Sequence, residues 1–187
     1  MLPVFFDVQN LFRHAKDAFG HHHPNFDPVK LHEAVCEPRG WVAHAVRFYT
    51  GVPDLRRAPA QNSMTQHTAA FWKKQEMWAG YRSSRLLSLK RQGVCVIKRN
   101  LTYQFREKNI PVPKEKGIDV RLALDIVRHA RRREFDAAVI YSQDQDLCEV
   151  ARAVRESGRG SGARHRGLRC RARWFKSARG YARHRLD

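Results

Sequence analysis

Four aspartates stand where chain architecture could bring them together. Asp7 directly follows the apolar run at residues 3–6. Asp144 and Asp146 follow a second apolar run at residues 137–141, in the stretch Tyr141-Ser142-Gln143-Asp144-Gln145-Asp146. Asp119 lies in the first turn of an apolar-periodic stretch that opens at Ile118. Carboxylates that converge repel one another unless a cation neutralises them. An all-oxygen donor set suits a hard ion, Mg²⁺ or Mn²⁺, which lowers the pKa of bound water and binds phosphate oxygens. Taken singly, Asp7, Asp119 and Asp146 also read as ordinary helix N-caps. Taken together, in a basic chain, coincident capping is the weaker explanation. Asn10, one turn after Asp7, is placed to hydrogen-bond a carboxylate or a water there, a solvated helix Asn being the alternative. Ser142 can do likewise or simply start the turn. Asp125 lies six residues beyond Asp119, about 240° around a helix, so solvation or a salt bridge is expected for it.

The elements that must position these residues alternate in type. Residues 3–6 read as a buried strand and residues 8–19 as a helix, with Leu11, Phe12, Ala15 and Phe19 on one face and Gly20 as its stop. Asp27-Pro28 makes an N-cap followed by Pro at the first helical position, opening a helix to about Cys36. Residues 41–49 form a second strand, and residues 51–62 a Pro/Arg loop. A long helix follows over about 64–92, its apolar stripe marked by Phe71, Trp72, Met77, Trp78, Tyr81 and Leu86 and its end by Gly93. Then come a third strand (94–97), a short edge strand (101–105), a charged loop (114–117), a helix (118–132), a fourth strand (137–141) and a last helix (144–156). Strands alternating with helices predict an α/β fold, a mainly parallel sheet covered on both faces. In such a sheet the carboxyl ends of the strands form one rim, where ligands bind. Asp7, Asp144 and Asp146 fall on that rim, and the loop before Asp119 can reach it.

The chain has 187 residues and a net charge of +18, from 36 Lys and Arg against 18 Asp and Glu. Such an excess favours a polyanionic partner, nucleic acid before membrane. Half of it sits in residues 158–187, which hold ten basic residues and one acid. The expected division is therefore a domain over 1–157 and an Arg-rich tail over 158–187. The tail reads either as a disordered basic arm gripping phosphates or as an appendage foreign to the domain, such as an out-of-frame translation, with the balance towards the second. No run approaches the roughly 20 apolar residues that span a bilayer. The apolar start lacks a basic n-region and is too short for a signal peptide, so a cytoplasmic location is expected. Cys36, Cys95, Cys148 and Cys170 show no C-x-x-C spacing; free thiols are expected, three of them inside apolar patterns.

Three motifs carry a family resemblance. Phe5-Phe6-Asp7-Val8-Gln9-Asn10-Leu11-Phe12 resembles the opening motif of NYN domains, a branch of the PIN-like nucleases. Residues 116–125, from Lys116-Gly117-Ile118-Asp119 to Asp125, resemble their central motif, and residues 141–147 their last acidic one. All three occur in order, and the likeness spans about residues 1–157. It implies a Rossmann-like PIN-type fold and a metal-dependent ribonuclease using Mg²⁺ or Mn²⁺. It also implies metal-site roles for Asp7, Asp119, Asp144 and Asp146, with Asn10 in support. Gln143 departs from the pattern, standing where Gly is usual. The chain departs again after Glu156, where the family continues into an apolar strand.

Lys98, Arg99 and Arg106 flank the aromatics Tyr103 and Phe105 near the expected rim, and Lys116 and Arg121 border Asp119. These are candidate RNA contacts, Tyr103 by stacking, with an ordinary basic surface as the alternative. Trp72 and Trp78 are expected in the core, and His21–His23 in a surface loop rather than at a metal. The favoured reading is an endoribonuclease acting on single-stranded or structured RNA. The alternatives are a non-catalytic RNA-binding module of the same fold and a DNA-directed nuclease.

Overall fold

A computed structural model describes residues 2–20, 25–105, 111–135 and 137–159. Four parallel strands form the sheet: β1 (Leu2–Asp7), β2 (Ala43–Val52), β3 (Cys95–Asn100) and β6 (Val139–Tyr141), in the order β3-β2-β1-β6. A separate antiparallel ribbon pairs β4 (Thr102–Phe105) with β5 (Pro111–Lys114). The helices are α1 (Val8–Phe19), α2 (Pro28–Cys36), α3 (Gln66–Arg91), α4 (Ile118–Arg131) and α5 (Asp146–Arg159).

Every residue of β1 is buried, as a central parallel strand requires. Its side chains alternate between two cores. Phe5 packs with Tyr49, Leu122, Ile126, Leu147 and Val154 under α4 and α5. Val4 and Phe6 face the other way, with Phe48, Leu86, Leu89 and partly buried residues of α1 and α2. Helices therefore cover both faces, as the alternation of elements predicts. The helices that directly follow the adjacent strands β1 and β6 leave to opposite faces, which opens a crevice at the carboxyl edge between them.

Some boundaries differ from expectation. β2 begins at Ala43, because a 3-10 turn at Glu37–Arg39 and a left-handed Gly40 still occupy the chain before it. It continues to Val52, since β3 offers partners as far as Asn100. α3 starts at Gln66, capped by the Thr65 hydroxyl. Of its expected stripe, Trp72 and Leu86 are buried, whereas Met77 and Tyr81 are exposed and Trp78 is half-buried, edge-on to Tyr81. Phe19, expected on the apolar face of α1, is 62% exposed. Cys36 is buried as expected, but Cys95 is exposed; Cys36, Cys95 and Cys148 are free thiols. α5 runs through Gly158 to Arg159, taking in the first two residues of the expected tail. The rest of the tail, the His21–His23 loop and Arg106 lie outside the described residues.

β5 is an element that sequence patterning misses, because two of its four residues are proline. It forms because its partner is a two-stranded ribbon, where Pro is tolerated. The ribbon packs on α3 through Tyr103, whose ring lies 4.7 Å from Trp72 and 6.0 Å from Phe71. Arg82 of α3 donates to the Gly51 carbonyl near the carboxyl end of β2, and Leu86 and Leu89 pack beneath the sheet. Residues 66–81 precede that anchor in α3, and Phe71 and Trp72 among them pack on the ribbon. With the ribbon they make a wall beside the carboxyl rim.

His32 of α2 is fully buried and ties that helix to the amino end of β1. Its Nε2 lies 2.8 Å from the Leu2 carbonyl, which can only accept, so the proton is on Nε2. Nδ1 is left to accept from the Cys36 thiol at 3.7 Å. Burial pulls the imidazole below its ordinary range. The fold favours the neutral ring, so this contribution is intact above about pH 6.5 and declines as pH falls through that value towards the folded pKa. In urea unfolding at about pH 7.5 and about pH 5.5, wild type should lose more stability between the two than His32→Gln does. Equal losses would show that another group governs the acid limb. Ile126, fully buried against Phe5 and Leu122, sets the packing scale: Ile126→Ala should cost about 2–5 kcal/mol by the same measurement.

Candidate active site

Strand parity decides where Asp7 points. Asp7 is two residues beyond Phe5 and pairs in register with Tyr49, both of which lie on the α4 side of the sheet. Its carboxylate is thus brought to the end of the central strand on that face, and it is buried. It serves as the N-cap of α1, with Oδ1 accepting from the Asn10 N–H at 3.3 Å. Oδ2 accepts from the Ser142 hydroxyl at 2.7 Å, across the gap to the neighbouring strand β6. Burial pushes the Asp7 carboxyl above its ordinary range, and the charges of Asp144 and Asp119 push the same way. The bonds from Ser142 and Asn10 pull against them.

The loop from β6 to α5 is fixed by a short relay. The Asn10 side-chain oxygen accepts from the Gln143 N–H at 2.7 Å. Ser142 Oγ accepts from the Asp144 N–H at 3.0 Å, and Asp144 Oδ1 from the Asp146 N–H at 3.0 Å. Asn10 therefore acts on the loop backbone, and Ser142 both touches Asp7 and starts the turn. Gln143 has no left-handed backbone, so this turn makes no demand for glycine at the position. Asp144 is half-buried beside Asp7, while Asp146 is exposed and joins the relay through its backbone N–H.

Asp119 sits in the first turn of α4, exposed, with its charge felt at Asp7. The Ser142 bond and the loop relay thus bring Asp7 and Asp144 together at the β1/β6 crevice, and the charge of Asp119 is felt there. Sequence reasoning missed one more. Glu115, in the loop between β5 and α4, has an enclosed oxygen, Oε1, with no hydrogen-bond partner. Burial and the Asp7 charge push its carboxyl up to about 7, against the opposing influence of Arg82 and the Gly51 backbone. The only signal in the sequence was an acid in a basic loop next to Asp119.

The expected strand contacts divide into two groups. Lys98, Arg99 and Lys116 are exposed around the carboxyl edge, and Arg99 reaches over Gly117. Gly117 has φ +72°, and a Cβ there would lie 3.0 Å from the Arg99 guanidinium, so glycine suits both the backbone and the approach. Tyr103 and Arg121 are committed elsewhere. The Tyr103 hydroxyl accepts from the Asp54 N–H at 3.1 Å, and its ring packs on Trp72. Arg121 Nε lies 3.0 Å from Asp125 Oδ2. Asp125 is buried, with Arg128 at 3.2 Å and a bond from the Tyr49 hydroxyl at 3.2 Å. The salt-bridge expectation for Asp125 holds, and the solvation alternative does not.

The donor chemistry at the crevice fits a hard divalent cation. Its acids supply only oxygen, and a carboxylate held above its ordinary pKa by burial, with like charges adding to it, gains from a cation. Among the described residues no three His, Cys, Asp or Glu side chains already close into a metal cage. Mg²⁺ does not require one, since it commonly keeps several waters and takes one or two carboxylates.

Among the described residues no helix is long and apolar enough to cross a membrane. A search of curated proteins and one of solved structures each return no match. The family model of the NYN domain matches residues 2–167. That family is a PIN-like nuclease domain family, generally of hydrolases acting on nucleic acid and typically using divalent metals. The ordered acids, the parallel sheet that gathers them and this match lead to one conclusion: the chain belongs to the NYN domain family.

Proposed function

We propose that this chain is a metal-dependent endoribonuclease that hydrolyses RNA phosphodiester bonds. The observation that carries the reading is the buried Asp7 carboxylate, bonded to Ser142 across the strand crevice and placed within electrostatic reach of Asp119 and Asp144. Asp7, Asp119, Asp144 and Asp146 are the residues proposed to hold Mg²⁺ or Mn²⁺. A cation bound there supplies a low-pKa water and offsets phosphate charge. Asn10 keeps the Gln143 amide, and with it the Asp144 loop, in position. Lys98, Arg99 and Lys116 offer cationic contacts for a phosphate backbone at the same rim, which favours a nucleic-acid substrate. The wall of α3 and the ribbon bounds the approach on the β3 side.

Cleavage of an RNA oligonucleotide by the purified chain should require Mg²⁺ or Mn²⁺ and stop with EDTA. Asp7→Asn and Asp144→Asn should lose cleavage while still retaining RNA in a filter-binding assay. Asn10→Ala, which frees the loop without removing a carboxylate, should lower the rate by about 10–100-fold. Undiminished turnover by a folded Asp7→Asn protein would sink the assignment. Cleavage of a matched DNA strand in preference to the RNA would keep the site and change its substrate.

A further inference from the structure

On the face of the sheet opposite Asp7, α3 and the segment that opens α2 leave a groove between them. It encloses about 370 Å³, at the lower end for small-ligand sites, and its walls include Phe26, Asp27, Tyr81, Arg85, Ser88 and Gln92. The α3 residues of that wall recur at helical spacing and so share one face. Trp78, edge-on to Tyr81, and exposed Lys74 continue the same face towards the start of the helix.

The groove combines an open aromatic ring with an ordered cation. Tyr81 is 51% exposed, so its ring is available to a ligand. Arg85 is held in place: its Nη2 donates to the Phe26 carbonyl at 3.0 Å, and its guanidinium lies 5.8 Å from the centre of the Phe26 ring. Asp27 is the one acid in the wall, and its Oδ1 is turned to the Val29 and Lys30 N–H groups as the cap of α2. Asn25 and Gln92 add amides that both donate and accept, which suits the edge of a base. Aromatic faces interleaved with cations are the means by which unpaired nucleic acid strands are held.

Two contacts tie the groove to the carboxyl edge. The Phe26 ring lies 6.0 Å from that of Phe6, the residue before Asp7. Arg82, the residue after Tyr81, donates to the Gly51 carbonyl near the end of β2. The groove therefore lies behind the same edge as the crevice, on the other face of the sheet. We infer that it binds a nucleotide of single-stranded RNA outside the cleavage crevice, the base stacked on Tyr81 and Arg85 supplying the cationic contact. The inference rests on the RNA reading above and adds a second contact for the strand, one that needs no metal. A base-paired segment has no free base face to offer, so the groove selects for unpaired RNA.

The experiment measures binding of a fluorescein-labelled oligouridine to the full chain by anisotropy, in EDTA and over a series of KCl concentrations. The proteins are wild type, Tyr81→Ala, Tyr81→Phe, Ser88→Glu and Lys98→Ala, each with a thermal melt. Tyr81→Ala should bind about fivefold or more weakly, with an unchanged salt slope, because stacking releases no counterions. Tyr81→Phe keeps the ring and should stay within about twofold of wild type. Ser88→Glu, which puts a carboxylate one turn from Arg85, should weaken binding as well. Lys98→Ala, at the rim, should instead lower the salt slope by about 1. Wild-type affinity in Tyr81→Ala or in Ser88→Glu, with Lys98→Ala still weakened, overturns the inference and leaves the RNA reading standing. A Tyr81→Phe protein as weak as Tyr81→Ala overturns it too, since the ring would not be the contact. Should Tyr81→Ala melt well below wild type, Ser88→Glu, which leaves the ring in place, decides alone. A change in oligomeric state of Tyr81→Ala by light scattering, without loss of RNA affinity, assigns the groove to contact between copies and overturns the inference. Absence of RNA binding by wild type overturns both readings.

Discussion

The bond from the Ser142 hydroxyl to the Asp7 carboxylate, 2.7 Å long, joins β1 to β6 where strand order reverses. Parallel strands end with free space between the loops that follow them, and here those loops lead to helices on opposite faces. Without a link, the β6–α5 loop would have only local contacts to fix it. With it, the end of the buried central strand dictates the position of Asp144. The same carboxylate caps α1, so one side chain sets the start of a helix, the path of a loop and the centre of the candidate site. Burial makes that arrangement costly for an ionised Asp, and two neighbouring acids raise the cost. Such a group is a poor choice for stability and a suitable one for holding a cation.

Charge is segregated around this point. The chain is strongly basic, yet the charges of Asp119, Asp144 and Glu115 all act on or with Asp7 at the carboxyl edge of the sheet. Lys98, Arg99 and Lys116 stand exposed about the same edge. A phosphate chain drawn by the basic surface would meet a repelling acidic centre unless a cation lay between them. Basic rim and acidic centre are thus two halves of one electrostatic arrangement. Several other arginines have internal duties. Arg121 and Arg128 neutralise buried Asp125, Arg56 and Arg57 neutralise Asp54, and Arg82 ties α3 to β2. Net charge alone therefore overstates what is available to a ligand.

The wall beside the rim arises from length. α3 runs for 26 residues; Leu86 and Leu89 near its end pack on the four-stranded sheet, whereas Phe71 and Trp72 in its first half do not join that core. The aromatic contact of Phe71 and Trp72 with Tyr103 gives that half a partner, and the β4–β5 ribbon gains a support it could not supply for itself. Tyr103 illustrates how an aromatic in a basic stretch can serve packing instead of stacking on bases.

The sequence by itself determined the elements whose signal is local. A wholly apolar run closed by Asp identifies β1, Asp27-Pro28 opens α2, and apolar periodicity marks α4, because burial and capping act over a few residues. The order of strands and helices also fixed the parallel sheet, and with it the edge at which Asp7, Asp144 and Asp146 had to lie. The tertiary structure decided what depends on partners distant in the chain. β5 was illegible because its prolines carry no strand propensity, and only pairing with β4 makes them a strand. Met77 and Tyr81 marked an apolar stripe in the sequence, and only the packing of α3 shows them exposed. Asn10 and Ser142 had two roles open to each until the loop they hold was in place. Glu115 looked like one acid in a charged loop; its enclosure over Gly51, 64 residues earlier in the chain, is a fact of packing that no local pattern encodes. Local order is written in neighbouring residues, whereas desolvation and charge coupling exist only once the chain has folded.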